Sequence, residues 1–156
     1  MRDCPYAMAE LLPHGPPMVL IDRVIDWDQG RLDAEVEIRG DCILYESGQG
    51  VPCHAGIEFM AQACGAYAGL EAKQAGQPVR IGFLLGTRHY TSKVPWFRLG
   101  EVLTISVSEV LREDPMAVFL CRILHDGQDV ASARLNLYQP EDVSAMLVGS
   151  RQDWTS

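Results

Sequence analysis

His54 and Glu58 stand four residues apart at the start of the one long stretch whose apolar residues recur with helical spacing. If the helix has begun by His54, this spacing stacks the two on one face, within reach of one substrate carbon and its neighbour. The positive end of a helix dipole favours the neutral imidazole, the form a general base needs. Partial burial raises a carboxyl toward its protonated form, the form a general acid needs. His54 is therefore read as base and Glu58 as acid, with backbone N–H groups near Gly56 placed to polarise a carbonyl. Gln62, one turn beyond Glu58, is placed to hydrogen-bond that carboxyl and fix its orientation. Each has a plainer alternative. Glu58 could be a solvated helix residue, against which stand its neighbours Ile57, Phe59, Met60 and Ala61. His54 could bond the backbone at a helix start, and Gln62 could satisfy a backbone group.

The other reactive residue types form no comparable pattern. Cys4, Cys42, Cys53, Cys64 and Cys121 are odd in number, scattered and without a CxxC pair, which fits reduced thiols better than a disulfide framework or a zinc site. No metal site is expected. Cys53 and Cys64 lack a Cys/His/Asn arrangement, so nucleophilic catalysis is not assigned to them. His89 and His125 fall in strand or turn context and read as structural or exposed.

The elements that must position this pair follow from period. Tyr6 to Leu12 reads as a short helix stopped by Pro13, Pro16 and Pro17, and Met18 to Asp28 as a strand. Gln29-Gly30 makes a hairpin turn, after which Leu32, Ala34, Val36 and Ile38 alternate with Asp33, Glu35, Glu37 and Arg39 as a half-buried strand. From Cys53 to about Gln74, Ile57, Met60, Ala61, Cys64, Tyr67 and Ala68 give the long helix, with Pro52 suited to its first turn. Its many Ala and Gly residues predict close approach by surrounding backbone. Four strands are expected next, at Val79 to Tyr90, Glu101 to Leu111, Met116 to His125 and Val130 to Tyr138, with breaks at Pro95 to Gly100, Glu113-Asp114-Pro115 and Asp126-Gly127. The order describes an α+β protein, one domain over residues 1–140, with residues 141–156 as a tail of no clear pattern.

The 156 residues suit one core and one site. Apolar runs are too short for a membrane span, and Arg2 and Asp3 precede no long apolar core, so no secretory signal is expected and the cytoplasm is the expected location. A net charge of −8 argues against nucleic-acid binding. Yet between Glu71 and Glu101 no acidic residue occurs, while Lys73, Arg80, Arg88, Lys93 and Arg98 all do. Such a basic stripe fits an acidic partner or a phosphate, or else an outward strand face balanced by acids elsewhere.

Three segments carry a resemblance: LLPHGPPMVLIDRV at 11–24, GIEFMAQA at 56–63 and GFLLG at 82–86. In order and spacing the chain resembles, over roughly residues 8 to 139, the bacterial 3-hydroxyacyl-ACP dehydratases of fatty-acid synthesis, and more closely their relatives in aryl-polyene gene clusters. The resemblance implies a hotdog fold, in which a mostly antiparallel sheet wraps the long helix, and a dimer whose sheets join edge to edge. It further implies an interface tunnel for an acyl chain on phosphopantetheine, an arm that belongs to the substrate, so no cofactor is expected. Water would be eliminated from a 3-hydroxyacyl thioester to give a trans-2-enoyl product. The expected site is then His54 and Glu58 as catalytic residues, with Gly56, Gln62, Phe83 and Arg88 binding substrate. His14 matches a family histidine and is expected to order the turn around the prolines. The expected partner is acyl carrier protein or acyl-CoA, within a homodimer or a heterodimer with another dehydratase.

One departure separates the chain from those dehydratases. Their catalytic histidine sits in a GHFP-type loop before the helix, whereas residues 41–50 contain no histidine. Two alternatives follow: an acyl thioesterase, in which a helix carboxylate activates water, and a non-catalytic subunit that completes a heterodimer with an active dehydratase.

Overall fold

The computed structural model describes residues 4–12, 19–79 and 82–139, with Phe83 described by its backbone alone. The expected roles of His14 and the proline cluster, the cation Arg80 and the tail at 141–156 lie outside the described residues. A short helix α1 (Met8–Leu11) precedes the hairpin of β1 (Arg23–Asp28) and β2 (Arg31–Glu37). Gly30 closes that hairpin at φ +86°, a conformation with little cost only for a residue lacking Cβ. The alternation read in β2 is observed, with Leu32, Ala34 and Val36 buried. The start expected for the first strand, Met18, lies outside the described residues; residues 19–22 are not in strand and β1 begins at Arg23, although the Asp22 N–H still reaches Glu35 O at 2.9 Å.

Ahead of the long helix, β3 (Val51–Pro52) pairs antiparallel with β5 (Trp96–Phe97). That second segment lies inside a stretch expected to be only a break. A 3-10 turn (Cys53–Ala55) then leads into α2 (Gly56–Gln74). After it come β4 (Phe83–Ser92), β6 (Val102–Glu113), β7 (Met116–His125) and β8 (Gln128–Tyr138). The described strands form a six-stranded sheet in the order β1-β2-β6-β7-β8-β4, antiparallel throughout. Asp126 and Gly127, at φ 52° and 78°, make the tight turn between β7 and β8.

The long helix lies across one face of this sheet, packing against β2, β6 and β7, which is the hotdog arrangement. Its side chains Phe59, Met60, Ala63, Cys64, Tyr67 and Leu70 are buried against Leu103, Ile105, Val107, Phe119, Cys121, Ile123 and Leu135 of the strands. Tyr67 meets Phe119 edge-on at 5.8 Å between ring centres, a favoured geometry for aromatic pairs. Cys64 Sγ lies 3.7 Å from Cys121 Sγ as a pair of buried free thiols. Burial and the neighbouring sulfur push the Cys64 thiol well above its ordinary pKa, which keeps it protonated and unreactive.

The glycines of the helix explain its composition. A methyl on Gly69 would run into the Leu11 carbonyl oxygen and sit 3.0 Å from the Leu11 carbonyl carbon, so α1 can cross α2 only where no Cβ stands. Helix propensity alone would make Gly69→Ala stabilising by about 1 kcal/mol. Collision with backbone should reverse that sign, for a net loss of about 1–3 kcal/mol. Urea denaturation checks this expectation, and a more stable variant would show that α1 yields freely.

Candidate active-site groove

Glu58, Ala61, Gln62, Gly65 and Ala68 share one face of α2, at offsets of three, four, seven and ten residues. That face is the floor of a groove of about 230 Å³. Leu84 of β4, Ala117 and Phe119 of β7, and Leu137 of β8 form its apolar wall. The small floor residues leave room for a slender ligand, and the rise from Glu58 to Ala68 amounts to about 15 Å. Glu58 stands at one end of this face and Arg112 lines the other end.

The expected burial of Glu58 is not found: its side chain is exposed in the chain, because Ile57, Phe59 and Met60 turn to other faces of the helix and Ala61, which shares its face, is small. His54 is exposed as well and sits in the 3-10 turn rather than in the α-helix, so the spacing-of-four argument does not apply in its simple form. It is not among the residues lining the groove, which contains no histidine among the described residues. Gln62 uses its Oε1 to accept the Leu20 N–H at 2.8 Å, anchoring the segment before β1 to the helix. This is the plainer role weighed for it from sequence, and the residue still lines the groove.

Gly56 is buried, and a Cβ there would meet the Tyr90 hydroxyl and lie 2.9 Å from Ile123 Cδ1. The Tyr90 hydroxyl donates to the Cys53 carbonyl, so a residue of β4 holds the start of the helix in place. Arg88 lies on the outward face of β4 opposite Arg134, on the other side of the sheet from α2. The acid-free stretch distributes its cations over separate elements, with Lys73 on α2 against the Tyr6 ring at 5.7 Å from its centre.

Two groups lie outside the expected set, Arg112 at the groove and Tyr90 at the start of α2. Arg112 donates to Glu109 at 2.8 Å and to Glu71, while the Tyr67 hydroxyl donates to Glu71 at 3.3 Å and accepts the Gly30 N–H at 2.8 Å. Partial burial alone would lower the Arg112 pKa, but the bonds and charges of Glu109 and Glu71 outweigh it and hold it above its ordinary value. The guanidinium thus stays charged where the apolar groove ends. Glu109 is three residues away, but Glu71 lies 41 residues from Arg112 in sequence, so no local pattern could reveal that pairing.

Tyr90 is the second. Burial, helped by the charge of Cys53 and opposed by a bond to Ser92, raises its pKa to about 12. A phenol that holds its proton more tightly when folded contributes stability in full below about pH 10 and loses it as pH rises toward 12. Alkaline unfolding of the wild type should therefore steepen over that interval, and Tyr90→Phe should remove the extra slope. Parallel denaturation series from pH 8 to pH 12 would check this, and identical slopes would refute it.

The sequence profile of the ApeP-like family, described as ApeP dehydratase, matches residues 6–148. The chain belongs to this family. It is 30% identical to a chain of the dehydratase heterocomplex ApeI:P from Xenorhabdus doucetiae, with a TM-score of 0.85 over 92% of this chain and 97% of that one. More distant likenesses show the fold alone. A hypothetical thioesterase with coenzyme A from Streptococcus pneumoniae TIGR4 gives TM-score 0.58 at 14% identity, covering 75% of this chain and 84% of that one. The PaaI protein of the E. coli phenylacetic acid degradation operon gives 0.55 at 16% identity, covering 74% and 81%. Among curated proteins no sequence matches. ApeP-like membership agrees with the dehydratase resemblance carried by the motifs, and no helix among the described residues is long and apolar enough to cross a membrane.

Proposed function

We propose that this ApeP-like chain takes part in dehydrating a 3-hydroxyacyl thioester to a trans-2-enoyl thioester, with the acyl chain lying in the groove along α2. The observation that carries the reading is the placement of Glu58 at one end of an apolar groove whose floor is Ala61, Gly65 and Ala68. A base removes a proton from the carbon beside the thioester carbonyl. As the bond from the third carbon to its hydroxyl breaks, Glu58 donates the proton that lets the hydroxyl leave as water. In this reading His54, at the same helix start, is the base, and the substrate arrives on the phosphopantetheine arm of an acyl carrier protein or coenzyme A in the cytoplasm, with no cofactor required.

A second reading is favoured by the absence of histidine from the groove lining among the described residues. Here the chain supplies the groove and Glu58, and another dehydratase subunit supplies the base. Its similarity to a chain of the ApeI:P heterocomplex supports this arrangement. The two readings separate in one assay. The purified chain, alone and with a partner dehydratase subunit, is given 3-hydroxyacyl carrier protein while enoyl absorbance and free thiol are followed. Turnover alone that is lost in His54→Ala supports the first reading, and turnover only with the partner, indifferent to His54→Ala, supports the second. Thiol release without enoyl product would overturn both and indicate a thioesterase.

A further inference from the structure

On β6 the alternation that buries Leu103, Ile105 and Val107 against α2 is broken by a β-bulge between Glu109 and Leu111. Without the extra residue, Leu111 would face the helix and Arg112 would face away. With it, Leu111 is 49% exposed, while Glu109 and Arg112 stand opposite Phe119 and Ala117, on the groove side of the sheet. The bulge thus aims a cation at the end of an apolar groove. There Arg112 donates to Glu109 on its own strand and to Glu71 on α2, and Glu71 in turn accepts from the Tyr67 hydroxyl. Linked charges of this kind hold their geometry better than an isolated surface pair.

The helix face continues past this bridge. Ala68, Glu71, Ala72 and Ala75 line a second hollow of about 350 Å³, which shares Ala68, Arg112 and Gln139 with the groove. The pair Arg112–Glu71, reaching from strand to helix, is therefore a partition across one continuous floor of small residues. We propose that this partition sets the length of acyl chain the site accepts, admitting straight chains with an apolar end up to about a dozen carbons past the third and refusing longer ones. The proposal rests on the reading that places the acyl chain in the groove with its third carbon at Glu58. The floor from Glu58 to Ala68, about 15 Å, matches about twelve bonds of an extended chain at about 1.2 Å per bond. One more methylene would press against the bridge and strip water from its charges without replacing it. An anionic chain end finds no site there either, because Glu71, Glu109 and Asp114, the last at 4.0 Å, outnumber the one guanidinium.

Binding of saturated acyl-coenzyme A thioesters of graded length to the full-length chain tests this without requiring turnover. Affinity should rise about fourfold with each added carbon, the effect of one buried methylene, and stop rising at a total of about fifteen carbons. In Arg112→Ala the rise should continue for about five carbons more, the length of floor from Ala68 to Ala72. Glu71→Ala opens the same partition from the helix side while Glu109 still holds Arg112, and should lengthen the limit likewise. Adding Ala72→Leu to Arg112→Ala refills the second hollow and should return the limit to that of the wild type. A misfolded variant loses affinity at every length and cannot lengthen the limit. An unchanged limit in either single variant that still melts cooperatively would overturn the proposal, as would a double variant that keeps the longer limit. Dehydration of 3-hydroxyacyl thioesters with a limit indifferent to the bridge would keep the proposed function and overturn the partition. A limit that follows the bridge in a chain that dehydrates nothing, alone or with a partner subunit, would support the partition and remove the dehydratase reading. Absence of acyl binding at every length would overturn both.

Discussion

Replacing Glu58 with Gln is expected to slow enoyl formation by about a hundred- to ten-thousandfold, the usual contribution of one positioned acid. The change is nearly isosteric and falls on an exposed side chain, so stability should move by no more than about 0.5 kcal/mol. Substrate affinity should also change little, since the apolar wall and floor of the groove remain. The check is a rate measurement on the active assembly, with thermal melting of the same sample. A variant retaining more than a tenth of the activity would remove Glu58 from the chemistry and leave the groove as a binding site only. Because Gln keeps a hydrogen-bond donor but cannot deliver a proton, it separates proton transfer from simple positioning.

The largest stability effect is expected one residue away. Phe59 is fully buried and its ring lies 6.0 Å from that of Phe97, which β5 holds against the helix start. Phe59→Ala should cost about 3–5 kcal/mol through lost burial and the cavity left behind. That is a large share of the about 5–15 kcal/mol by which domains are stable. Urea denaturation of the variant would measure it, and a loss below about 1 kcal/mol would mean that the β3–β5 pair collapses into the space.

These neighbouring positions show what local pattern could and could not tell. The helical period from Ile57 to Ala68 marked α2, and the strict alternation of Leu32, Ala34 and Val36 marked β2, because both signals repeat over many residues. The two-residue strands β3 and β5 are too short for any period, and Pro95 spoke for a break. For Glu58, most of the apolar neighbours in sequence are not neighbours in space. On a helix, residues 57 and 59 point away from 58, and only offsets of three and four share its face. Arg112 at the groove and Tyr90 beside the helix start carry no local signal, because their roles depend on Glu71 and Cys53, which only the tertiary fold brings near.

The sheet order also dictates when each strand can form. β4 ends at Ser92, yet its ladder neighbour among the described residues is β8, which begins at Gln128. On a ribosome, the strand that follows the long helix must therefore wait while β5, β6 and β7 emerge, and it can dock only once the last strand is made. Closing so long a loop makes this a late step, after the local hairpins β1–β2 and β6–β7 are in place. A chain arrested before residue 128 would carry a finished hairpin and helix beside a stranded β4. In the completed protein, β4 should be the first of the long strands to exchange its amide hydrogens, since among the described residues one ladder alone holds it to the sheet.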